Sequence, residues 1–261
     1  MKNKIKIATL AVCTFIIFNN KDINACSIDS LQGNQNIFEI RLDKLDINTP
    51  LQLTYNQQVQ VYIDSYLGDN KALISKMQGL AEYYFPLFET LLDKHGLPLE
   101  LKYLPIVESS LNPLAKSNSG ASGLWQFMYL TGKQYGLNVT SYIDDRQDPY
   151  KSTESACIYL KKLYDIFGDW NLVLAAYNGG PGYIQRKINQ VGSYDFWKLY
   201  PYLRRETRNY VPKFIAVNYV MNYAKEHGIS AEDPQILICE KDTLILREQV
   251  ELKTLIEILC V

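Results

Sequence analysis

Apolar residues recur every three or four positions along most of the chain, which is the spacing that places them on one face of a helix. The pattern predicts helices between residues 56 and 94, with a break near Gly68. No convincing strand is predicted before Gln235, so we expect an all-α domain around one core. Further helices are predicted from Pro98 to Asn112, after GLWQFM up to Gly136, and over residues 149–167, 170–177, 182–191, 193–200 and 206–227.

The pattern changes near the C-terminus. ILICEKDTLILREQV is rich in residues that favour strands, and LKTLIEIL has helical spacing, so residues 229–261 predict a small β/α C-terminal extension. Two interpretations stay open. The extension is either a strand and a helix that pack on the main domain, or an incomplete module that resembles the opening of a LysM-type glycan-binding repeat.

The N-terminus has the pattern of a secretory signal peptide. Lys2, Lys4 and Lys6 precede an apolar run over residues 7–18, and a small residue follows at Ala25. Residues 1–25 are therefore predicted to be removed on export, and residues 26–96 to form a leader and N-terminal helices. Membrane attachment is expected only if this signal stays uncleaved or if Cys26, which follows Ile-Asn-Ala, is lipidated.

The composition argues against several classes of function. The chain has 261 residues and a formal net charge of −1, so it lacks the basic surplus that nucleic-acid binding needs. Its five cysteines show no C-x-x-C spacing, and only His95 and His227 are present. A zinc site and a histidine-based catalytic pair are therefore not expected, and neither a metal nor another cofactor is predicted.

One acid stands on an apolar stripe. In YLPIVESSLNP, the series Leu97, Leu101, Leu104 continues to Glu108 and then Leu111 at helical spacing. A carboxylate at a position that belongs to the core is costly to ionise, and burial raises its pKa. Glu108 is therefore a candidate general acid, because such an acid must still carry its proton near neutral pH.

Two glycine-rich segments follow this acid. The first, Ser117 to Met128, contains glycines that let the backbone approach a ligand, and Gln126 offers both donors and an acceptor. In the second, AAYNGGPG, Tyr177 and Asn178 lie where a helix gives way to a glycine turn. Each segment alone is an ordinary turn between helices.

Together, ESSLNPLAKSNSGASGLWQFM and AYNGGPG resemble the motifs of the soluble-lytic-transglycosylase family, most of all its membrane-bound lytic transglycosylase D branch. The resemblance covers residues 97–228, which we take as the catalytic domain. It implies a goose-type-lysozyme-like helical fold and cleavage of the β-1,4 MurNAc–GlcNAc bond of peptidoglycan. Trp125 stands where methionine is frequent in the family, and the D branch accepts tryptophan there.

The resemblance also implies the site. Glu108 would act as the only catalytic acid and base, and the C6 hydroxyl of the substrate would attack C1 to give 1,6-anhydroMurNAc ends without water or a cofactor. We further expect a monomer that acts on glycan strands in the periplasm or at the outer membrane of a Gram-negative bacterium. The substrate-binding residues that the resemblance implies are Ser117, Gln126, Met128, Tyr177, Asn178 and Tyr210, the last in ETRNYVPKF.

Two alternatives remain. A hydrolytic goose-type lysozyme would need a second carboxylate to activate water, and the nearest acids are Asp144, Asp145 and Asp148 in YIDDRQDP. Asp148 precedes Pro149 and is better explained as a helix cap, and the other two as solvated loop charges or partners of Arg146. The second alternative is a wall-binding module without catalytic activity.

Overall fold

A computed structural model describes residues 36–233 of the chain. The predicted signal peptide, Cys26 and most of the predicted β/α extension lie outside these described residues. The all-α fold is confirmed: between residues 36 and 233 the only β-type pairings are isolated bridges. None of the helices in this range combines the length and the apolar character that crossing a bilayer requires.

The described part of the chain contains ten α-helices, joined by short 3₁₀ turns. The turns are Leu99–Tyr103, Asp145–Gln147, Tyr200–Tyr202 and Lys225–His227. The helices are α1 Ile37–Asp46, α2 Gln57–Leu67, α3 Lys71–Lys94, α4 Leu104–Ser109, α5 Tyr129–Gln134, α6 Pro149–Phe167, α7 Trp170–Gly179, α8 Pro181–Val191, α9 Phe196–Leu199 and α10 Arg205–Asn222.

Capping side chains set several of the predicted boundaries. The Asn56 carboxamide oxygen accepts the Val59 backbone N–H at 3.0 Å and starts α2. Asp148 does the same for Lys151 at 2.8 Å and starts α6, with Pro149 in its first turn. These contacts satisfy backbone N–H groups that have no partner inside the helix.

Helix α10 is the central element of the core. It packs against α2 and α7, and its buried residues occupy most of its circumference from Val211 to Met221. A helix that is apolar nearly all round is a helix surrounded by others. A second layer joins α3 to α6 through Phe88 and the fully buried Trp125, whose ring centroids lie 5.5 Å apart. The Trp125 indole N–H donates to Thr153 Oγ1 at 2.8 Å.

The helix predicted from Pro98 to Asn112 is split. Residues Leu99–Tyr103 form a 3₁₀ turn, and α4 begins at Leu104, next to Pro105. Pro105 lacks a backbone N–H and its ring collides with the preceding turn, which interrupts regular hydrogen bonding. Helix α4 then ends early, because Ser110 and Leu111 adopt positive φ angles of 53° and 57°.

Candidate active site

A cavity of about 530 Å³ lies where α4, α7, α10 and the loop of residues 117–128 meet. We call it the cleft. All of the residues named as site residues from the sequence line it, although they are spread over about one hundred positions of the chain. They are Glu108, Ser117, Gln126, Met128, Tyr177, Asn178 and Tyr210.

Glu108 reaches the cleft because α4 ends directly after it. The leucines of its stripe are buried, with Leu101 and Leu104 fully covered and Leu111 at 1% exposure, so the carboxyl lies at the edge of the core. Protein atoms crowd it, yet it keeps a partial opening to the cleft. The acid singled out from the leucine spacing therefore lies beside buried leucines, although the predicted helix is split.

Burial raises the pKa of Glu108 to about 7. Desolvation is the largest cause, because it disfavours the charged carboxylate. The Tyr210 hydroxyl donates a hydrogen bond to Glu108 Oε1, and this bond and the charge of Lys213 lower the pKa, while Glu206 raises it. The net result is a carboxyl group that is still largely protonated just below neutral pH.

The two tyrosines predicted as site residues keep their protons. Burial raises the pKa of both Tyr177 and Tyr210 well above the ordinary phenol value, and the neighbouring Glu108 adds to the shift. Tyr210 is therefore neutral, and its hydroxyl donates to Glu108 Oε1. The Tyr177 hydroxyl donates to the Trp125 backbone carbonyl at 2.8 Å, which fixes the end of α7 against the loop of residues 117–128.

Close packing explains one glycine of the second motif. A Cβ atom on Gly179 would lie 2.9 Å from Thr207 Oγ1, so the end of α7 can approach α10 only if this residue has no side chain. Asn178, the preceding residue, is carried to the cleft by this approach.

The loop of residues 117–128 is held in shape by its own polar groups. Ser117 Oγ accepts the Ala121 N–H at 3.0 Å. Gln126 has a positive φ of 49°, and its side-chain nitrogen donates to the carbonyl oxygens of Gly123 at 2.8 Å and Ala115 at 3.2 Å. The Gln126 side chain therefore faces the cleft in a fixed orientation.

Arg146 braces this loop from behind. Its Nη1 donates to the carbonyl oxygens of Gly120 at 2.8 Å and Phe127 at 3.1 Å. The Asp144 carboxylate accepts hydrogen bonds from the other two guanidinium nitrogens, Nε at 2.8 Å and Nη2 at 2.7 Å. A Cβ on Gly123 would lie 1.7 Å from the Arg146 carbonyl oxygen, so glycine is required where the loop packs against the Arg146 backbone. Sequence analysis missed this positioning role.

The loop acids do not line the cleft. Asp144 pairs with Arg146, as one interpretation of the sequence had it, and this pairing lowers its pKa. Asp145 is buried rather than solvated, bonds Lys151 at 2.8 Å and also has a lowered pKa. Asp148 caps α6. All three are committed to structure, which leaves the lysozyme alternative without its proposed base.

Helix α10 contributes more to the cleft than the sequence indicated. Glu206, Asn209, Tyr210 and Lys213 all line the cavity, and their spacing of three, four and seven residues puts them on one helical face. Only Tyr210 was predicted. Helical spacing from Tyr210 would have found Glu206 and Lys213, but the direction in which this face points depends on the packing of α10.

Comparisons with known proteins identify one matching family and several similar proteins. Residues 86–200 match the family described as Transglycosylase SLT domain. The chain is 36% identical over 192 residues to membrane-bound lytic murein transglycosylase D of Escherichia coli strain K12, which covers 72% of this chain and 41% of that protein. It is 34% identical over 125 residues to the soluble lytic murein transglycosylase of the same strain, covering 44% of this chain and 19% of that protein.

The chain thus spans about two fifths or less of the length of these two relatives. Among solved structures, the 70 kDa soluble lytic transglycosylase of Escherichia coli aligns with 60% of this chain and 26% of its own. The sequence identity is 26% and the TM-score 0.47.

Proposed function

Because this chain carries a transglycosylase SLT domain, we propose that it is a peptidoglycan lytic transglycosylase that cleaves the β-1,4 bond between MurNAc and GlcNAc and leaves 1,6-anhydroMurNAc ends. The observation that carries the proposal is Glu108. It is a carboxyl group in a cleft of the size of small-ligand sites, with a pKa of about 7 and a neutral tyrosine whose hydroxyl donates to it.

The first half of the proposed reaction uses the proton of Glu108. The carboxyl group protonates the glycosidic oxygen, the bond from this oxygen to C1 breaks, and positive charge develops at C1. A pKa near the working pH suits this step, since the acid must be protonated and must also be strong enough to transfer its proton. The acetamido group of the same sugar stabilises the charge at C1.

The second half returns the proton. Glu108, now a carboxylate, accepts the proton of the C6 hydroxyl as this oxygen bonds to C1, which closes the 1,6-anhydro ring and leaves Glu108 protonated for the next cycle. Water is neither consumed nor released. One carboxyl thus performs both transfers, and the Tyr210 hydroxyl stabilises its charged form between them.

The remaining site residues bind and orient the sugars in this proposal. The side chains of Gln126 and Asn178 supply amide groups for the acetamido and hydroxyl groups of the glycan, and Ser117 and Met128 form the wall on the loop side. Tyr177 holds the loop rather than the substrate, because its hydroxyl is already bonded to Trp125.

Glu206 is a second carboxylate on the cleft lining, and a hydrolytic mechanism would need such a group. It lines the cleft together with Glu108, but it is exposed, whereas the three loop aspartates are committed elsewhere. If the enzyme were a hydrolase, Glu206 would be the group placed to activate water. A wall-binding module without activity has no use for a buried carboxyl of raised pKa.

The substrate sets the compartment and the partner. Peptidoglycan glycan strands lie outside the cytoplasm, so the proposal requires export, in agreement with the signal predicted over residues 1–25. The predicted boundaries of residues 26–96, 97–228 and 229–261 remain part of the proposal, as does action as a monomer.

Product masses test the function. Purified sacculi are digested with the full chain, and the muropeptides are analysed by mass spectrometry. Anhydro ends, which are one water lighter than reducing ends, are expected in the parent protein and in Glu206→Gln. Reducing ends in place of anhydro ends would establish hydrolysis, and intact sacculi would establish a module without this activity.

A further inference from the structure

Lys213 is a cation inside the cleft for which the proposed reaction has so far given no role. It lies on the α10 face that carries Tyr210, one turn further along the helix, and lines the same cavity as Glu108. Its side chain is only partly exposed. Lysine is rarely buried without a compensating negative group, so its surroundings should show what holds it there.

The surroundings of Lys213 are negative for two reasons. Its ammonium group donates to the Val107 carbonyl oxygen at 3.5 Å. Val107 belongs to the last turn of α4, where carbonyl oxygens have no partner inside the helix and carry the negative end of its dipole. The next residue is Glu108 itself. Lys213 therefore faces both the end of α4 and the acid that this end presents.

Lys213 and Glu108 nevertheless do not form a direct ion pair within residues 36–233, where the Glu108 hydrogen bond goes to Tyr210. This separation matters. A lysine in direct contact would hold the carboxylate in its charged form, as Arg146 does for Asp144. A lysine at longer range stabilises the charge without abolishing protonation at neutral pH.

We propose that Lys213 is a positioning residue that stabilises the carboxylate of Glu108 between its two proton transfers. The inference rests on the function proposed above, since it assigns the lysine a part in that reaction. When Glu108 gives up its proton, a negative charge appears in a crowded site beside the negative end of α4. The positive ammonium group stabilises that negative charge, so Glu108 remains a carboxylate until it accepts the proton of the C6 hydroxyl.

The charged and titratable groups around Glu108 are few. Helix α10 contributes Glu206, Tyr210 and Lys213, α7 contributes Tyr177, and α2 contributes Tyr62. The loop of residues 117–128 contains no charged side chain. The tyrosines stay neutral, so Lys213 and Glu206 are the two charges whose removal should shift Glu108, and they should shift it in opposite directions.

The first experiment follows the Glu108 carboxyl carbon by NMR in the full chain labelled with [¹³Cδ]glutamate, with Glu108→Gln used to assign the signal. In Lys213→Met the pKa of Glu108 should rise by about 0.5 to 1 unit, because a nearby opposite charge has been removed. Lys213→Arg keeps the charge and should leave the value within about 0.3 units. Glu206→Gln should lower it by less, since an exposed charge is better screened.

The matched control is Lys76→Met. Lys76 is an exposed lysine on α3 that does not line the cleft, so its loss removes the same charge without changing the pKa of Glu108. An unchanged Glu108 signal in Lys213→Met, or an equal shift in Lys213→Met and Lys213→Arg, overturns the inference. The second result would mean that packing, not charge, is responsible.

A reciprocal measurement keeps the inference testable if Lys213→Met does not fold. Coupling between two sites is mutual, so Glu108→Gln should lower the pKa of Lys213, read from the ¹³Cε signal of labelled lysine. A Lys213 pKa that is the same in the parent and in Glu108→Gln refutes the coupling. Neither titration needs substrate, so both can succeed even if digestion of sacculi yields no anhydro ends and the proposed function fails.

Turnover provides the last readout. In Lys213→Met the alkaline fall of kcat/KM should move to higher pH with the carboxyl, and the plateau should drop about threefold to tenfold because a carboxyl with a higher pKa is a weaker acid. Lys213→Arg should restore the profile. A plateau loss without a movement of the alkaline limb would contradict a role that acts through Glu108.

Discussion

The end of α4 that carries Glu108, which we call the floor of the cleft, and the loop of residues 138–148 both contain carboxyl groups shielded from solvent, but the pKa values of these groups are shifted in opposite directions. In the loop, Asp144 and Asp145 face Arg146 and Lys151 at bonding distance, and their pKa values are lowered. On the floor, Glu108 meets a tyrosine hydroxyl and a more distant lysine, and its pKa is raised to about 7. The position of the nearest cation separates the two cases.

The difference shows how one chain divides its acids between structure and chemistry. A carboxylate in direct contact with a cation is locked in one charge state and contributes bonds, as Asp144 does when it holds Arg146 under the loop of residues 117–128. An acid that is buried without such a contact exchanges its proton near neutral pH. A strongly shifted pKa is therefore informative about function only together with the physical cause of the shift.

The largest expected effect is on turnover. Glu108→Gln removes the transferable proton but keeps size and a hydrogen-bonding group, so the fold should persist while digestion of sacculi falls by about 10²- to 10⁴-fold or more. Glu206→Gln, which alters the other acid on the cleft lining, is the matched control and should fall far less. A Glu108→Gln protein that melts normally and retains turnover would show that Glu108 is not the catalytic acid.

The next effect concerns the brace of the loop. Arg146→Met leaves the partly buried Asp144 without its cation and removes the hydrogen bonds of a buried guanidinium, so the free energy of unfolding should fall by about 2 kcal/mol. Urea unfolding measures this loss. The double variant Asp144→Asn, Arg146→Met should be less destabilised than the sum of the single variants, since it leaves no unpaired charge. Additive losses would show that the pair is not the unit that holds this region.

The pH dependence of stability separates the two regions by sign. Glu108 has a raised pKa in the folded protein, so its contribution is fully present below the unfolded value of about 4.3 and is lost as pH rises through about 7. Relative to the parent, Glu108→Gln should therefore gain stability between pH 4 and pH 8, by at most about 4 kcal/mol.

Asp144 should show the reverse. Its pKa is lowered by Arg146, so its contribution is present above the unfolded value of about 3.9 and is lost as pH falls through the lower folded value. The stability lost in Asp144→Asn should thus shrink below pH 4. Free energies of unfolding from urea titrations over this range check both signs, and equal signs for the two variants would remove the distinction drawn between floor and loop.

The sequence was most informative where a local pattern has a local cause. Glu108 was found because it interrupts a leucine stripe, and the start of α6 because Asp148 and Pro149 form a cap within one turn. The resemblance then supplied six further residues that line the cleft, but not Glu206, Asn209 or Lys213. Each of these inferences needed only neighbours in sequence or a motif.

Other features depend on contacts between distant segments. Tyr210 and Glu108 are 102 positions apart, and the role of Lys213 follows only once α10 is known to pass beneath the end of α4. The brace likewise joins Arg146 to backbone carbonyls of residues 120 and 127, which no side-chain pattern records. Asp145 could not be recognised as buried because its burial comes from the packing of the whole loop.

The smallest expected effect tests whether the loop acids are structural. Asp148 accepts the Lys151 N–H at the start of α6 and lies outside the cleft lining. Asn caps a helix about as well as Asp, so Asp148→Asn should change the free energy of unfolding by only a few tenths of a kcal/mol, whereas Asp148→Ala should cost about 1 kcal/mol. Turnover per folded molecule should stay within a few-fold in both variants. A loss of about 10²-fold in Asp148→Asn at unchanged melting temperature would mean that a loop acid takes part in the chemistry, and reducing ends among the products would then favour hydrolysis.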